Sequence, residues 1–150
     1  MPRTESRQKP IHLDYRSQET VVVVPEDEDR FILTAKEAAR ACKQAHDNRD
    51  WARQWNDFLV HIHNWCKDRA GLIDAGYVTV GDNALNVLLC VKTAEYNFEF
   101  EDAIADLDLE LSRLFPLCYA DVMQLPNQRD VRAGIPSEEL LVVYGDGKRT

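Results

Sequence analysis

The chain of 150 residues is 45% hydrophobic and 29% charged, and its 26 acidic and 18 basic residues leave a formal net charge of −8. This length and hydrophobic content allow a buried core without disulfide or metal staples, which excludes a fibrous or disordered protein. The longest uninterrupted apolar runs, at 87–91 and 140–144, have five residues, far below the roughly 20 that cross a bilayer. We therefore expect no transmembrane helix and no membrane partner.

The acidic excess is concentrated in two segments. Residues 19–33 carry five acids against Arg30, and residues 76–126 carry nine acids against Lys92 and Arg113. Binding to nucleic acid requires a basic stripe that displaces counterions from the phosphates. The only basic cluster lies near the N-terminus and consists of Arg3, Arg7, Lys9 and Arg16. We expect no nucleic-acid binding by the folded body.

Residues 1–18 show no hydrophobic periodicity and are rich in polar and basic residues, which is typical of a flexible arm. They contain no apolar stretch of the kind found in secretory signals, so the expected location is cytoplasmic. The predicted organisation is a flexible basic arm at 1–18, a single α+β domain at 19–145 and a polar tail at 146–150.

The first elements are indicated by β-branched residues and a capping motif. Residues 19–24 are β-branched except for Glu19 and are followed by Pro25, which predicts a strand and then a charged loop. Thr34 and Glu37 fit a capping box, in which each side chain satisfies a backbone amide of the first turn. This motif predicts a helix over 35–46.

The strongest periodic signal lies between residues 51 and 66. Seven apolar residues recur at spacings of three and four and share one helix face: Trp51, Trp55, Phe58, Leu59, Ile62, Trp65 and Cys66. Such a stripe predicts a helix packed against a sheet. We expect this face to share a core with the apolar run at 85–91.

The second half of the chain predicts three further strands, a helix and a terminal strand. Residues 77–80 and 84–93 are expected to pair through a tight turn at Gly81. Over 98–115 a helical period competes with an alternating strand pattern, and only Leu109 lies off the helical face, which favours the helix. Two strands at 118–125 and 140–144 follow, separated by a polar loop at 127–138.

This order of elements predicts an α+β fold. The βαββαβ order is that of the ferredoxin-like fold, in which helices cover one face of an antiparallel sheet. The prediction adds an extra helix in the first crossover and an appended C-terminal edge strand.

Cysteine and histidine spacings do not favour a metal site. The four cysteines are 24 to 28 residues apart with no CxxC pair, whereas zinc ligands come in close pairs. His61 and His63 are two residues apart in a helix and therefore point in nearly opposite directions. Glycine-rich phosphate loops and nucleophile elbows are also missing from the sequence. We expect no metal, no cofactor and no catalytic residues.

An enzymatic alternative rests on the Asp106-Leu107-Asp108 string. An Asp-x-Asp pair on a strand can bind divalent cations for phosphoryl transfer, and Asp102 and Asp121 would add carboxylates. The alternative function is therefore a small divalent-metal-dependent phosphoryl- or nucleotidyl-transfer enzyme, or a degenerate relic of one. On a helix, however, Asp106 and Asp108 diverge and cannot share an ion.

The acidic helix is the feature that folding does not require. Its candidate partner-binding residues are Asp102, Asp106, Asp108 and Glu110. Carboxylates spaced four residues apart cost about 0.2 to 0.5 kcal/mol per pair. They form either a solvated face or a docking surface. We predict a non-catalytic cytoplasmic protein-interaction or assembly module that uses the acidic helix and a sheet edge. Its partner would be a protein with a basic surface, or a second copy in a homo-oligomer.

Overall fold

The structure is a computed structural model that describes residues 10–16, 20–23, 25–45, 47–92, 98–125 and 140–145. Within these residues it contains six strands and three α-helices. In chain order they are β1 (Ile11–Arg16), β2 (Thr20–Val23), α1 (Glu28–Ala41), α2 (Arg49–Lys67), β3 (Ile73–Val80), β4 (Leu85–Val91), α3 (Phe100–Leu114), β5 (Ala120–Leu125) and β6 (Leu141–Gly145).

The strands form one mixed sheet in the order β2-β1-β6-β3-β4-β5. β3 pairs antiparallel with β4 on one side and with β6 on the other. β4 and β5 run parallel and are connected through α3, and β1 runs parallel to β6. The fold is therefore α+β with a mixed sheet, as the order of elements predicted at the coarse level.

The ferredoxin-like arrangement is not confirmed, and the position of the last strand is corrected. Adjacent, parallel β4 and β5 form a compact β-α-β unit, whereas the ferredoxin-like prediction required an antiparallel sheet. β6 was predicted at an edge, but it lies between β1 and β3. Its buried residues Leu141, Val142 and Val143 explain this position, because an apolar strand with both neighbours paired avoids an exposed edge.

Residues 11–16 were predicted as part of the flexible arm, and this prediction is wrong. They form β1, which pairs with both β2 and β6. Ile11 and Leu13 are buried, and Tyr15 packs against the same core. The alternation of these three apolar residues is the strand signal; it was obscured by the polar and basic residues around it. Residues 1–9 and 146–150 lie outside the described part of the chain.

The first helix begins earlier than the capping motif predicted. A 3-10 turn at Pro25–Asp27 leads directly into α1 at Glu28. Acidic residues in a first turn are stabilised by the helix dipole, which explains why the charged PEDEDR segment is helical. Thr34 lies inside the helix, where its hydroxyl donates to the Arg30 carbonyl at 2.9 Å. It is not an N-cap.

The central helix is confirmed with nearly the predicted residues. The side chain of Asn48 caps α2 by accepting hydrogen bonds from the amides of Asp50 and Trp51. All seven residues of the predicted stripe are buried. They share one core with Leu85, Val87, Leu89 and Val91, the alternate residues of β4.

The opposite face of the sheet carries a second buried cluster. Tyr77, Leu88, Cys90, Leu140 and Val142 belong to it, together with Ala75. Side chains of a strand alternate between faces, so the continuous apolar run of β4 divides between the two clusters. No helix of the described residues has both the length and the apolarity that a bilayer span requires.

Candidate functional site

Residues 100–114 form a helix, as predicted, and its two sides have opposite character. Phe100, Ile104, Leu107 and Leu111 are buried against the main core. Leu109 lies on the outer side, where 71% of its surface is exposed. The buried side chains of α3 pack in the same core as the apolar residues of β4. The inner face of α3 therefore holds the helix on the sheet, and its outer face remains exposed.

Asp102 and Asp106 lie on the outer side of α3, one turn apart and both exposed. Among the residues that the structure describes, neither forms an ion pair. α3 contains five carboxylates and a single cation, Arg113. The outer side of the helix therefore presents negative charge that the described part of the fold does not neutralise.

Asp108 lies on a different side of the helix, where α3 packs on β5. It is half-buried, and burial followed by the nearby charge of Asp121 raises the pKa of its carboxyl group. Asp121 is an exposed residue of β5, which is the last strand of the sheet. Asp121 alternates with Ala120 and Val122, which pack on the α3 side, so it lies on the opposite face of β5 and its charge reaches Asp108 across the edge of the sheet.

Glu110 does not belong to this surface. Its Oε2 lies 2.5 Å from Nε2 of His61 on α2, at an ion-pair distance without an aligned hydrogen bond. The His61 ring also meets Phe115 edge-on, with centroids 5.6 Å apart. Glu110 therefore helps to join α3 to α2, and its role in partner binding stays a prediction.

Most of the exposed apolar side chains lie on α3, on its flanks or on β5, although on more than one face. Eight large apolar side chains are exposed within the described residues. Five of them lie on α3, its flanks or β5: Phe98, Leu109, Leu114, Tyr119 and Met123. The candidate site is the outer side of α3, with Leu109 and the unneutralised Asp102 and Asp106, together with the adjoining edge of β5; we call it the α3/β5 surface. Met123 lies on the face of β5 turned away from α3.

The enzymatic alternative requires carboxylates that converge, and they do not. The charge of Asp121 affects Asp108, but Asp102 and Asp106 lie on the outer side of the helix. Within the described ranges, no group of three His, Cys, Asp or Glu side chains could hold a metal ion.

The histidines and cysteines are also separated by the fold. His63 faces away from His61: its Nδ1 lies 2.8 Å from the carbonyl oxygen of Val143, and its ring stacks on Tyr15. Cys42, Cys66, Cys90 and Cys118 are buried free thiols. Burial raises the pKa of both Cys66 and Cys118 to about 12, so these thiols are poor nucleophiles and metal ligands near neutral pH.

A second exposed surface, on α1, was not predicted. Leu33, Lys36 and Arg40 lie on its outer face, and with Glu37, Gln44 and Ala45 they line an open groove of about 410 Å³. The spacing of three and four residues was the available signal. The stronger periodicity of the buried alanine face of this helix obscured it.

Comparison with known proteins gives no information about function, so function is inferred from the geometry of the structure. No family model, curated protein or solved structure matches the chain.

Proposed function

We propose that the protein is a non-catalytic interaction module whose α3/β5 surface binds a basic segment of another protein chain. The observation that carries the proposal is Leu109, a large apolar side chain that is 71% exposed beside Asp102 and Asp106. Protein interfaces combine an apolar centre with a polar rim. Leu109 with the neighbouring unneutralised carboxylates offers this combination.

The charges on this surface define the chemistry of the partner. Two exposed carboxylates spaced by one helical turn fit Lys or Arg side chains at the same spacing on a partner helix. Asp108 and Asp121 extend the negative potential to the edge of the sheet. A cation placed there would relieve the repulsion between them, which favours a basic partner over a neutral one.

Contacts on the inner side hold this surface in place. The Glu110–His61 contact joins α3 to α2. The amide of Leu117 donates to Oε1 of Gln54 at 3.0 Å, which ties the α3–β5 connection to α2. The amide of Tyr119 donates to Sγ of Cys42 at 3.3 Å. A surface fixed in this way loses little conformational entropy when it binds.

The proposal is tested with a synthetic probe. The probe is a fluorescent helical peptide of about 18 residues built from Ala, Leu and Lys, with the lysines at spacings of three and four. We expect it to bind the wild-type chain at low salt and to bind the D102N/D106N variant roughly two- to thirtyfold more weakly, since each exposed ion pair contributes about 0.2 to 1 kcal/mol. Fluorescence anisotropy measures both affinities.

A control variant separates a specific surface from general attraction to an acidic protein. D47N/D82N removes two exposed carboxylates elsewhere, with the same change in net charge. We expect it to bind the peptide as the wild type does. Equal losses in both double variants, or no binding at all, would contradict a docking role for α3.

The proposed location is cytoplasmic, where thiols such as the four buried cysteines remain reduced. The metal-dependent enzyme is not proposed, because no observation of the described residues favours it over the interaction module.

A further inference from the structure

The outer face of α1 presents a pattern that complements α3. Leu33 is 59% exposed, and Asp29, Lys36 and Arg40 are exposed on the same side of the helix. Within the described residues none of these three charged side chains forms an ion pair. The groove of about 410 Å³ lies along the same face. α1 therefore carries an apolar residue and two cations that the described fold does not use.

The two helices carry matching residues at matching spacings. Read from the N-terminus, the face of α1 has spacings of four, three and four residues between Asp29, Leu33, Lys36 and Arg40. Read from the C-terminus, the outer face of α3 has the same spacings between Arg113, Leu109, Asp106 and Asp102. When the helices lie antiparallel, each position therefore faces its counterpart along the whole contact.

We infer that the basic partner of the α3/β5 surface is α1 of a second copy, docked antiparallel on α3; this inference rests on the proposed function. The facing pairs are Lys36 with Asp106, Arg40 with Asp102, Asp29 with Arg113, and Leu33 with Leu109. Three pairs have opposite charges, and the fourth joins two exposed leucines.

Other orientations and pairings are disfavoured by charge. In the parallel orientation Asp29 would face Asp102, and Arg40 would face Arg113, so both ends would repel. Two α3 helices brought together would place Asp102 and Asp106 against identical carboxylates. Like charges in direct contact are destabilising. The antiparallel α1–α3 pairing neutralises the six charges at the facing positions; Glu37, which also lines the groove, has no facing cation among them.

The resulting assembly is heterologous, because the surface used on one copy differs from the surface used on the next. Such contacts continue into a ring or an open chain rather than stopping at a two-fold dimer. A single pair of helices buries less area than a stable interface needs, so the contact is weak. We expect association at about 0.1 mM and above at low ionic strength, and its loss as salt screens the ion pairs.

Sedimentation equilibrium of the full chain tests the inference. At low salt the average mass should rise with concentration above the 17.2 kDa of one copy, and at high salt it should return to that value. The K36E/R40E and D102K/D106K variants should each remain monomeric. Mixed together they should associate again, because the reversed charges on each variant face an opposite sign on the other.

The mixing experiment also controls for misfolding, because a variant that fails to fold would not be rescued by its counterpart. K67E/K92E changes the net charge as K36E/R40E does, at exposed lysines away from both faces, and it should associate like the wild type. Folded variants that do not associate on mixing would overturn the inference. So would a wild type that is monomeric at every concentration.

The outcome for the proposed function is separate. If the wild type remains monomeric but binds the Lys-rich peptide through Asp102 and Asp106, the docking surface stands and the second copy is the wrong partner. If neither the second copy nor the peptide binds, both proposals fail.

Discussion

Gly76 is a point of close contact between α2 and the sheet. A Cβ atom at this position would lie 3.2 Å from Sγ of Cys66 and 3.3 Å from Cγ2 of Val143, both in the packed core. Any larger side chain must displace these neighbours. Because Gly76 has no Cβ atom, Cys66 of α2 can pack directly on β3 at this position.

We predict that Gly76→Val destabilises the protein by about 1 to 3 kcal/mol, the usual cost of overpacking a core. Gly71→Val is the matched control, because a Cβ at that exposed position meets no atom within 4 Å; it should change stability by less than about 0.5 kcal/mol. Urea unfolding followed by circular dichroism measures both. Equal effects would show that the loss comes from glycine flexibility rather than from packing.

Asp108 makes stability depend on pH. Burial and the charge of Asp121 raise the pKa of its carboxyl group above the ordinary value of 3.8. A group whose pKa is raised by folding stabilises the folded state below its ordinary pKa, and this contribution is lost as pH rises through the raised pKa. At neutral pH the ionised carboxylate of Asp108 therefore slightly lowers the free energy of unfolding.

We predict that Asp108→Asn raises the urea midpoint near pH 7 but not near pH 3, where the wild-type group is protonated in both states. Asp82→Asn, at an exposed turn position, should show no such difference between the two pH values. A wild type that is more stable than D108N at neutral pH would show that the carboxylate has a favourable partner.

Of the differences between the predicted and the observed fold, the presence of β1 has the largest effect on the sheet. It lies between β2 and β6, so it connects β2 to the rest of the sheet. Ile11 is fully buried, and its amide donates to the Leu140 carbonyl at 3.0 Å. Loss of this strand would expose the flank of β6 and remove part of the cover over α2.

We predict that Ile11→Ala destabilises the protein by about 2 to 5 kcal/mol, the range for large-to-small substitutions in a core. Ile32→Ala makes the same chemical change at a helix position that is 51% exposed, and it should have almost no effect. Thermal melts of the two variants give the comparison. If Ile11→Ala melted with the wild type, β1 would be dispensable and the flexible-arm prediction would stand.

At the scale of the whole molecule, the four cysteines are distributed through the fold. They lie just after α1, in α2, in β4 and in the connection before β5, and all four are buried. Thiol reagents react with the thiolate. With a pKa of about 12 for Cys66 and Cys118, only about one thiol in ten thousand is ionised near pH 8.

We predict that Cys66 and Cys118 react with a thiol reagent such as DTNB only as the protein unfolds, with a urea midpoint that coincides with the loss of helical circular dichroism. Because folding raises these pKa values above 9.0, their contribution to stability is complete below about pH 9 and is lost as pH rises toward 12. Rapid labelling of either thiol without denaturant would indicate local opening of the core.

The sequence predicted the elements with strong local signals. The stripe from Trp51 to Cys66 is a local pattern that requires one apolar helix face, and α2 follows it closely. The period of α3 likewise identified Leu109 as the outward residue. The start of α1 and the strand at Ile11–Arg16 were missed because acidic and basic residues obscured weaker local signals. The acidic residues after Pro25 are the local signal for the start of α1. The period of two in Ile11, Leu13 and Tyr15 is the local signal for β1.

The α+β class, the buried face of each long helix and the location of the acidic charge can be predicted from the amino-acid sequence, because they depend on residues close together in the chain. Strand order depends on tertiary structure, since β6 pairs with β1 at a separation of 130 residues and with β3 at separations of 63 to 70 residues. The same holds for the candidate site. Neighbouring residues of α3 point to different sides of the helix, and the tertiary structure decides what each side contacts. Glu110 therefore contacts His61 and Asp108 feels the charge of Asp121. Asp102, Asp106 and Leu109 remain exposed.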